Sequence, residues 1–261
     1  MSLLRPRDLP SDVAASISRF LTSADDEEPG LVEAVWVEGS IVLGDYHPDV
    51  SDMDVVVMTK RPLAPRERLR VPAPLSVTWT TRGTLSALPP ITAATLHRAG
   101  VAVRGPIPRA LVPDVPRATL VAYVADNLAT YWQPWLARAR RPLFRLTCLH
   151  PRRVQWGVFG VPRQYVTALD GSIVSKTAAA RRVRDLFDAR HHRILDEALR
   201  LRTGAGARQY RSPFARAAAM VAFLEHAIER THAVLGVGVR APARSPGEVR
   251  QGLVTAATPG R

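Results

Sequence analysis

Cysteine occurs once in the 261 residues, at Cys148, which excludes an intrachain disulfide framework, and no His or Cys nearby has the spacing a zinc site requires. A core thiol is expected there. Acidic residues are scarce as well: 23 Asp and Glu stand against 36 Lys and Arg, nearly all of them arginine, for a formal charge of +13. Such a balance favours polyanionic partners, whether a nucleoside triphosphate, a nucleic acid or an acidic surface. The arginines are nevertheless scattered among alanine, proline and glycine rather than gathered into a binding stripe. Long apolar runs are missing too. The N-terminal "MSLLRPRDLPSDVAAS" lacks the apolar stretch of a signal peptide, and no window approaches a membrane span. A cytoplasmic protein without a membrane partner is expected. No internal repeat is visible.

What is present is enough hydrophobic material, 46% of residues, to bury a sizeable core. Val13, Ile17, Phe20 and Leu21, after Ser11-Asp12, predict a helix that the acidic stretch "SADDEEPG" stops. "LVEAVWVEG", "DMDVVVMT" and "PLSVTWT" are short β-branched and aromatic runs bounded by turn residues, and predict three strands of one sheet. The four prolines of "RGPIPRALVPDVPRATL" suit a crossing between domains. Beyond it the period becomes helical: Leu120, Val124, Leu128, Tyr131 and Trp135; Val158, Val161, Tyr165 and Leu169; Ala179, Val183 and Leu186; Ile194, Ala198 and Leu201; Phe214, Ala218, Val221, Leu224 and Ile228. Strands in one half and helices in the other give an α+β class. The expected domains are 1–113, 114–234 and a tail, 235–261, whose Gly, Pro and Arg without apolar period predict disorder.

The chemistry is concentrated in "VEGSIVLGDYHPDVSDMDVVVMT". Side chains alternate along a strand, so Asp52 and Asp54 share a face while Val55 and Val57 take the other. Two carboxylates held together repel unless something neutralises them, and paired carboxylates are hard oxygen ligands suited to Mg²⁺, which completes its shell with water and substrate phosphates. That pairing fits metal-assisted phosphoryl or nucleotidyl transfer. Gly39 lets backbone approach a ligand, and the Ser40 hydroxyl and following N–H groups can bond phosphate oxygens, especially at the start of a helix. The combination is more specific than either half alone.

These residues resemble the signature of the nucleotidyltransferase superfamily. The remainder resembles its aminoglycoside adenylyltransferase branch, the streptomycin/spectinomycin type with a helical C-terminal domain. "HRAGVAVRGP", "QWGVFGVPRQYVTALDGSIVSKTAAARRV" and "ILDEALRLR" match in order, over roughly residues 15–203. The resemblance implies a mixed nucleotidyltransferase sheet with flanking helices followed by an all-α domain. It also implies transfer of AMP from ATP to a hydroxyl of a small acceptor lying between the two domains, with release of pyrophosphate. Gly39 and Ser40 would hold the triphosphate, Asp52 and Asp54 the Mg²⁺ ions, and Lys176 a phosphate.

Two positions depart from that branch. Alternation in "PLSVTWT" puts Ser76 where the branch has a third acid, the base for the attacking hydroxyl, and a base contributes about 10²- to 10⁴-fold. Neither Glu38 nor Glu67 has a spacing that places it as a substitute. Arg181 and Arg182 stand where the branch has an acid and an aromatic residue, which argues against a polycationic aminoglycoside. A catalytically impaired nucleotide-binding homologue and a nucleic-acid-binding member are the alternatives. His47 and the pair His191-His192 are read as surface residues, Trp132, Trp135 and Trp156 as core, and Pro162 as the site of a helix kink.

Overall fold

The computed structural model describes residues 5–48, 50–64, 66, 71 and 73–236. Glu67 and all of the expected tail beyond Gly236 lie outside the described residues. Three apolar runs form strands where β-branched residues are densest: β1 (Val32–Val37), β2 (Met53–Thr59) and β3 (Leu75–Thr81), joined by a short β4 (Val101–Arg104). Their order is β3-β2-β1-β4, with β1 antiparallel to β2 and β4 and β2 parallel to β3. The sheet is therefore mixed, and the α+β reading holds.

Both faces of the sheet are covered, which is why its central strands are nearly continuous in apolar residues. One face packs Ala34, Trp36, Val56 and Met58 against Leu88, Val112 and Leu96, the last on helix α2 (Pro90–Ala99). On the other, Phe20 of helix α1 (Ser11–Glu27) meets Trp79 edge to face at 6.1 Å. Helix α1 runs through most of the acidic stretch expected to stop it. Asp25 accepts two hydrogen bonds from Arg104 of β4, at 2.7 and 2.5 Å, and this pairing holds the carboxyl below its usual range. The chain breaks instead at Pro29 and Gly30, whose φ of +75° an L side chain rarely adopts.

Of the described residues, those within 5–42 and 52–114 belong to this first unit, and those within 43–51 and 115–236 to the second. The second unit is helical: α3 (Arg117–Asn127), α4 (Gln133–Ala139), α5 (Pro142–Thr147), α6 (Pro151–Asp170), α7 (Lys176–Arg184), α8 (His192–Thr203) and α9 (Pro213–Val234). A π-helical turn, Leu128–Trp132, joins α3 to α4. Its wider winding shifts the phase of the apolar stripe. Trp132 turns inward and Tyr131, expected on the buried face, is half exposed. Similarly, α9 buries Ala217 and Met220, leaving Phe214 and Ala218 exposed. Helix α6 continues through Pro162, which is buried, and its Gly160 leaves the space that the Trp132 indole fills. Trp135 joins the core with the free thiol of Cys148, whereas Trp156 is largely exposed and stacks on Trp132 at 5.9 Å.

His191 is buried rather than on the surface, because it packs against Phe223 and lies 4.7 Å from the His226 ring. Burial and the neighbouring His226 and Arg190 push its pKa down to about 4, so it is neutral at pH 7.

The heaviest polar investment in this core is Glu197, fully buried on α8. It accepts from Arg200 (3.0 and 3.0 Å), from the Gln209 amide (2.9 Å) and from Arg216 (3.4 Å). Glu197→Ala strands the buried Arg216 guanidinium without its counter-ion. The substitution is expected to cost about 3–5 kcal/mol, read as a fall in the denaturant midpoint of the helical unit.

Candidate functional site

The sequence between β1 and β2 brings the two halves of the motif together because the strands pair antiparallel. Val37 stands opposite Val55, and the Glu38 amide donates to the Asp54 carbonyl at 3.0 Å. Gly39 follows with φ +67°, and a Cβ placed on it would meet Asp54 Oδ2 at 2.5 Å. The Asp54 carboxylate thus lies against the bare Cα of Gly39. Residues 39–44 form turns, not the start of a helix. Within them the Ser40 hydroxyl oxygen is buried and has no hydrogen-bond partner among the described residues. A buried hydroxyl without a partner costs free energy unless a ligand supplies one. Gly39→Ala combines a forced positive φ with a clash into Asp54, so it is expected to weaken Mg²⁺–ATP binding at least about tenfold, measured by calorimetric titration.

Asp52, exposed, immediately precedes β2, and Asp54 is half-buried one residue into it. Among the described residues no three His, Cys, Asp or Glu side chains gather into a metal cage. A cation held by this pair therefore needs ligands from elsewhere, as Mg²⁺ commonly obtains from water and phosphates. The pair, the cradle at Gly39 and the orphaned Ser40 hydroxyl suit that ion and a polyphosphate.

Ser76 is the partner of Asp54 in the parallel β2–β3 register, so its side chain shares the face of Asp54. It is exposed, and it brings a hydroxyl to that point, not an acid. Glu38, which spacing did not place, sits across from Asp54 at the end of β1 and is 9% exposed. Burial first, and the Asp54 charge second, push its carboxyl up to about 8, while a hydrogen bond with Thr92 of α2 opposes the shift. At pH 7 Glu38 is mostly protonated and offers no base. Counting back through the β1–β2 pairing from Asp54 would have located it.

This shift has a consequence for stability. Folded Glu38 keeps a proton that the unfolded chain loses near pH 4.5, so its contribution is complete below pH 4.5 and disappears as pH rises through 8. Glu38→Gln cannot ionise. With EDTA present, the variant is expected to gain on the parent by about 2–4 kcal/mol between pH 5 and pH 8, read from denaturant midpoints.

Lys176 is the first residue of α7 in the second unit, whose N-cap Ser175 accepts from the Ala178 amide at 3.2 Å. Arg182, on the same helix, pairs with Asp170 at 2.7 Å, and Arg181 is exposed. His47 lies 3.2 Å from Asp45.

Residues 17–77, from the middle of α1 into β3, match the family described as nucleotidyltransferase domain. The matched stretch is under a quarter of the chain. Gly39, Ser40, Asp52, Asp54 and Ser76 all fall inside it. No curated protein sequence matches the chain. Among solved structures, the chain is similar to the spectinomycin adenyltransferase AAD(9) from Enterococcus faecialis, crystallised with ATP and spectinomycin. The TM-score is 0.59 at 14% identity, covering 82% of this chain and 98% of that one. At that identity the likeness is one of fold alone, a mixed sheet accompanied by helices. Among the described residues no helix is long and apolar enough to cross a membrane.

Proposed function

We propose that this chain transfers AMP from ATP to a hydroxyl of a small acceptor, releasing pyrophosphate. The observation that carries the reading is the seating of the Asp54 carboxylate on Gly39, one residue from the orphaned Ser40 hydroxyl, inside a matched nucleotidyltransferase domain. Gly39 and Ser40 receive triphosphate oxygens, Asp52 and Asp54 hold Mg²⁺, and Lys176 binds a phosphate. Bound Mg²⁺ supplies neutralising charge to the polyphosphate and its leaving group. The chain's own part is to orient the nucleotide, through the narrow approach at Gly39 and the donors of the following turn.

The acceptor is a hydroxylated molecule of low positive charge. Helix α7 ends in Arg181, Arg182 and Arg184, and among the described residues Arg182 pairs with Asp170 and Arg184 with Asp196, while Arg181 is exposed. A polycation such as an aminoglycoside meets like charge there. ATP, Mg²⁺ and a panel of neutral and anionic hydroxylated compounds test the reading. Acceptor-dependent pyrophosphate release supports it, and none across the panel defeats it.

Ser76 favours a second reading, a nucleotide-binding homologue with impaired catalysis, since no acid stands beside Asp54 on β3 and Glu38 is protonated. That reading predicts a higher melting temperature with Mg²⁺–ATP and no turnover. A nucleic-acid-binding role would rest on charge alone, and salt-sensitive retention of oligonucleotides is its check.

A further inference from the structure

The segment 43–51, which joins Ser40 to Asp52, belongs to the helical unit. Its anchor is Asp45, whose side chain is 5% exposed. The Asp45 carboxylate accepts from the Thr177 hydroxyl (2.6 Å) and amide (3.1 Å), at the first turn of α7. Arg202, near the end of α8 and 1% exposed, donates Nε to Asp45 Oδ2 (3.2 Å) and Nη2 to the Asp45 carbonyl (2.6 Å). The same Nη2 reaches the Ser51 hydroxyl at 3.4 Å, and that hydroxyl also accepts from the His47 amide at 3.1 Å. One buried network therefore fixes both ends of the segment.

Three members of the network are close neighbours in the chain of proposed nucleotide-site residues. Thr177 follows Lys176, Ser51 precedes Asp52, and Asp45 is five residues beyond Ser40. A buried, doubly anchored ion pair is costly to assemble and is more than a simple connection requires. We propose that the Asp45–Arg202–Thr177 network is a positioning device that holds segment 43–51, and through its covalent ends the adjoining Ser40 and Asp52, for the nucleotide. Asp45, Arg202 and Thr177 are positioning residues and do not touch the nucleotide. The inference rests on the adenylyltransferase reading above.

Thr177→Val deletes one hydroxyl and keeps the Asp45–Arg202 pair, so it probes the network where Asp45→Asn fails to fold; Thr177→Ser restores the hydroxyl. Two readouts are taken well below the melting temperature: amide hydrogen exchange in residues 39–42 and 52–54 of the free protein, and calorimetric affinity for Mg²⁺–ATP. The expected result for Thr177→Val is exchange at least about fivefold faster in both stretches and affinity weakened about tenfold, each recovered by Thr177→Ser. Faster exchange confined to 43–51, or an affinity within twofold of the parent, overturns the proposal and leaves the adenylyltransferase reading standing. No Mg²⁺–ATP binding by the parent overturns both.

Discussion

Replacing Asp54 with asparagine is expected to lower Mg²⁺-dependent pyrophosphate release by at least about 10³-fold while leaving the fold intact. The loss arises because Asp54 is the carboxylate seated on Gly39, so its charge stands closest to the turn that would receive the polyphosphate. The fold survives because Asp54 is half-buried and its charge opposes ionisation of Glu38. Removing that charge lowers the Glu38 pKa toward its ordinary range. With EDTA present, Asp54→Asn should therefore be at least as stable as the parent at pH 8. A variant that loses both activity and stability would mark Asp54 as structural. Steady-state pyrophosphate release and denaturant midpoints, measured on one preparation, separate these cases.

Ser76→Glu is expected to do the reverse and raise acceptor-dependent turnover, by about 10²-fold, the lower end of what a general base contributes. Register makes the substitution informative: Ser76 stands beside Asp54 in the parallel β2–β3 pairing, on the same face, and its side chain is exposed. A longer acidic side chain can be accommodated there without repacking a core. It would restore the acid that the aminoglycoside adenylyltransferase branch carries on this strand. A rise in kcat with KM little changed is the signature of a base acting in the transition state. No change in kcat would mean that the reaction does not use an acid on β3, or that the chain binds nucleotide without turning it over.

The strands were legible because each is a dense β-branched run bounded by turn residues, and alternation in "PLSVTWT" placed Ser76 on the face it occupies. The helices were legible as elements but not always in phase. A π-turn cannot be read from a 3.6-residue period, and Tyr131, which that period puts on the buried face, is half exposed. The extent of α1 was misjudged because Asp25 is held by Arg104, 79 residues away. The candidate site shows the same division. Gly39, Ser40, Asp52 and Asp54 stand out as a local motif, whereas Glu38 becomes a neighbour of Asp54 only through the β1–β2 pairing. Asp45 and Arg202 meet across 157 residues, and no local pattern announces that contact. His191 shares the lesson, since its burial is set by Phe223 and His226 on α9.

Calorimetric titration with ATP, in Mg²⁺ and then in EDTA, of the parent chain and of the Asp52→Asn/Asp54→Asn double variant bears most directly on the proposed metal-holding role of Asp52 and Asp54. Saturable binding that requires Mg²⁺ and vanishes in the double variant is the predicted result. Equal binding with and without the metal, or binding that the double variant keeps, would contradict it.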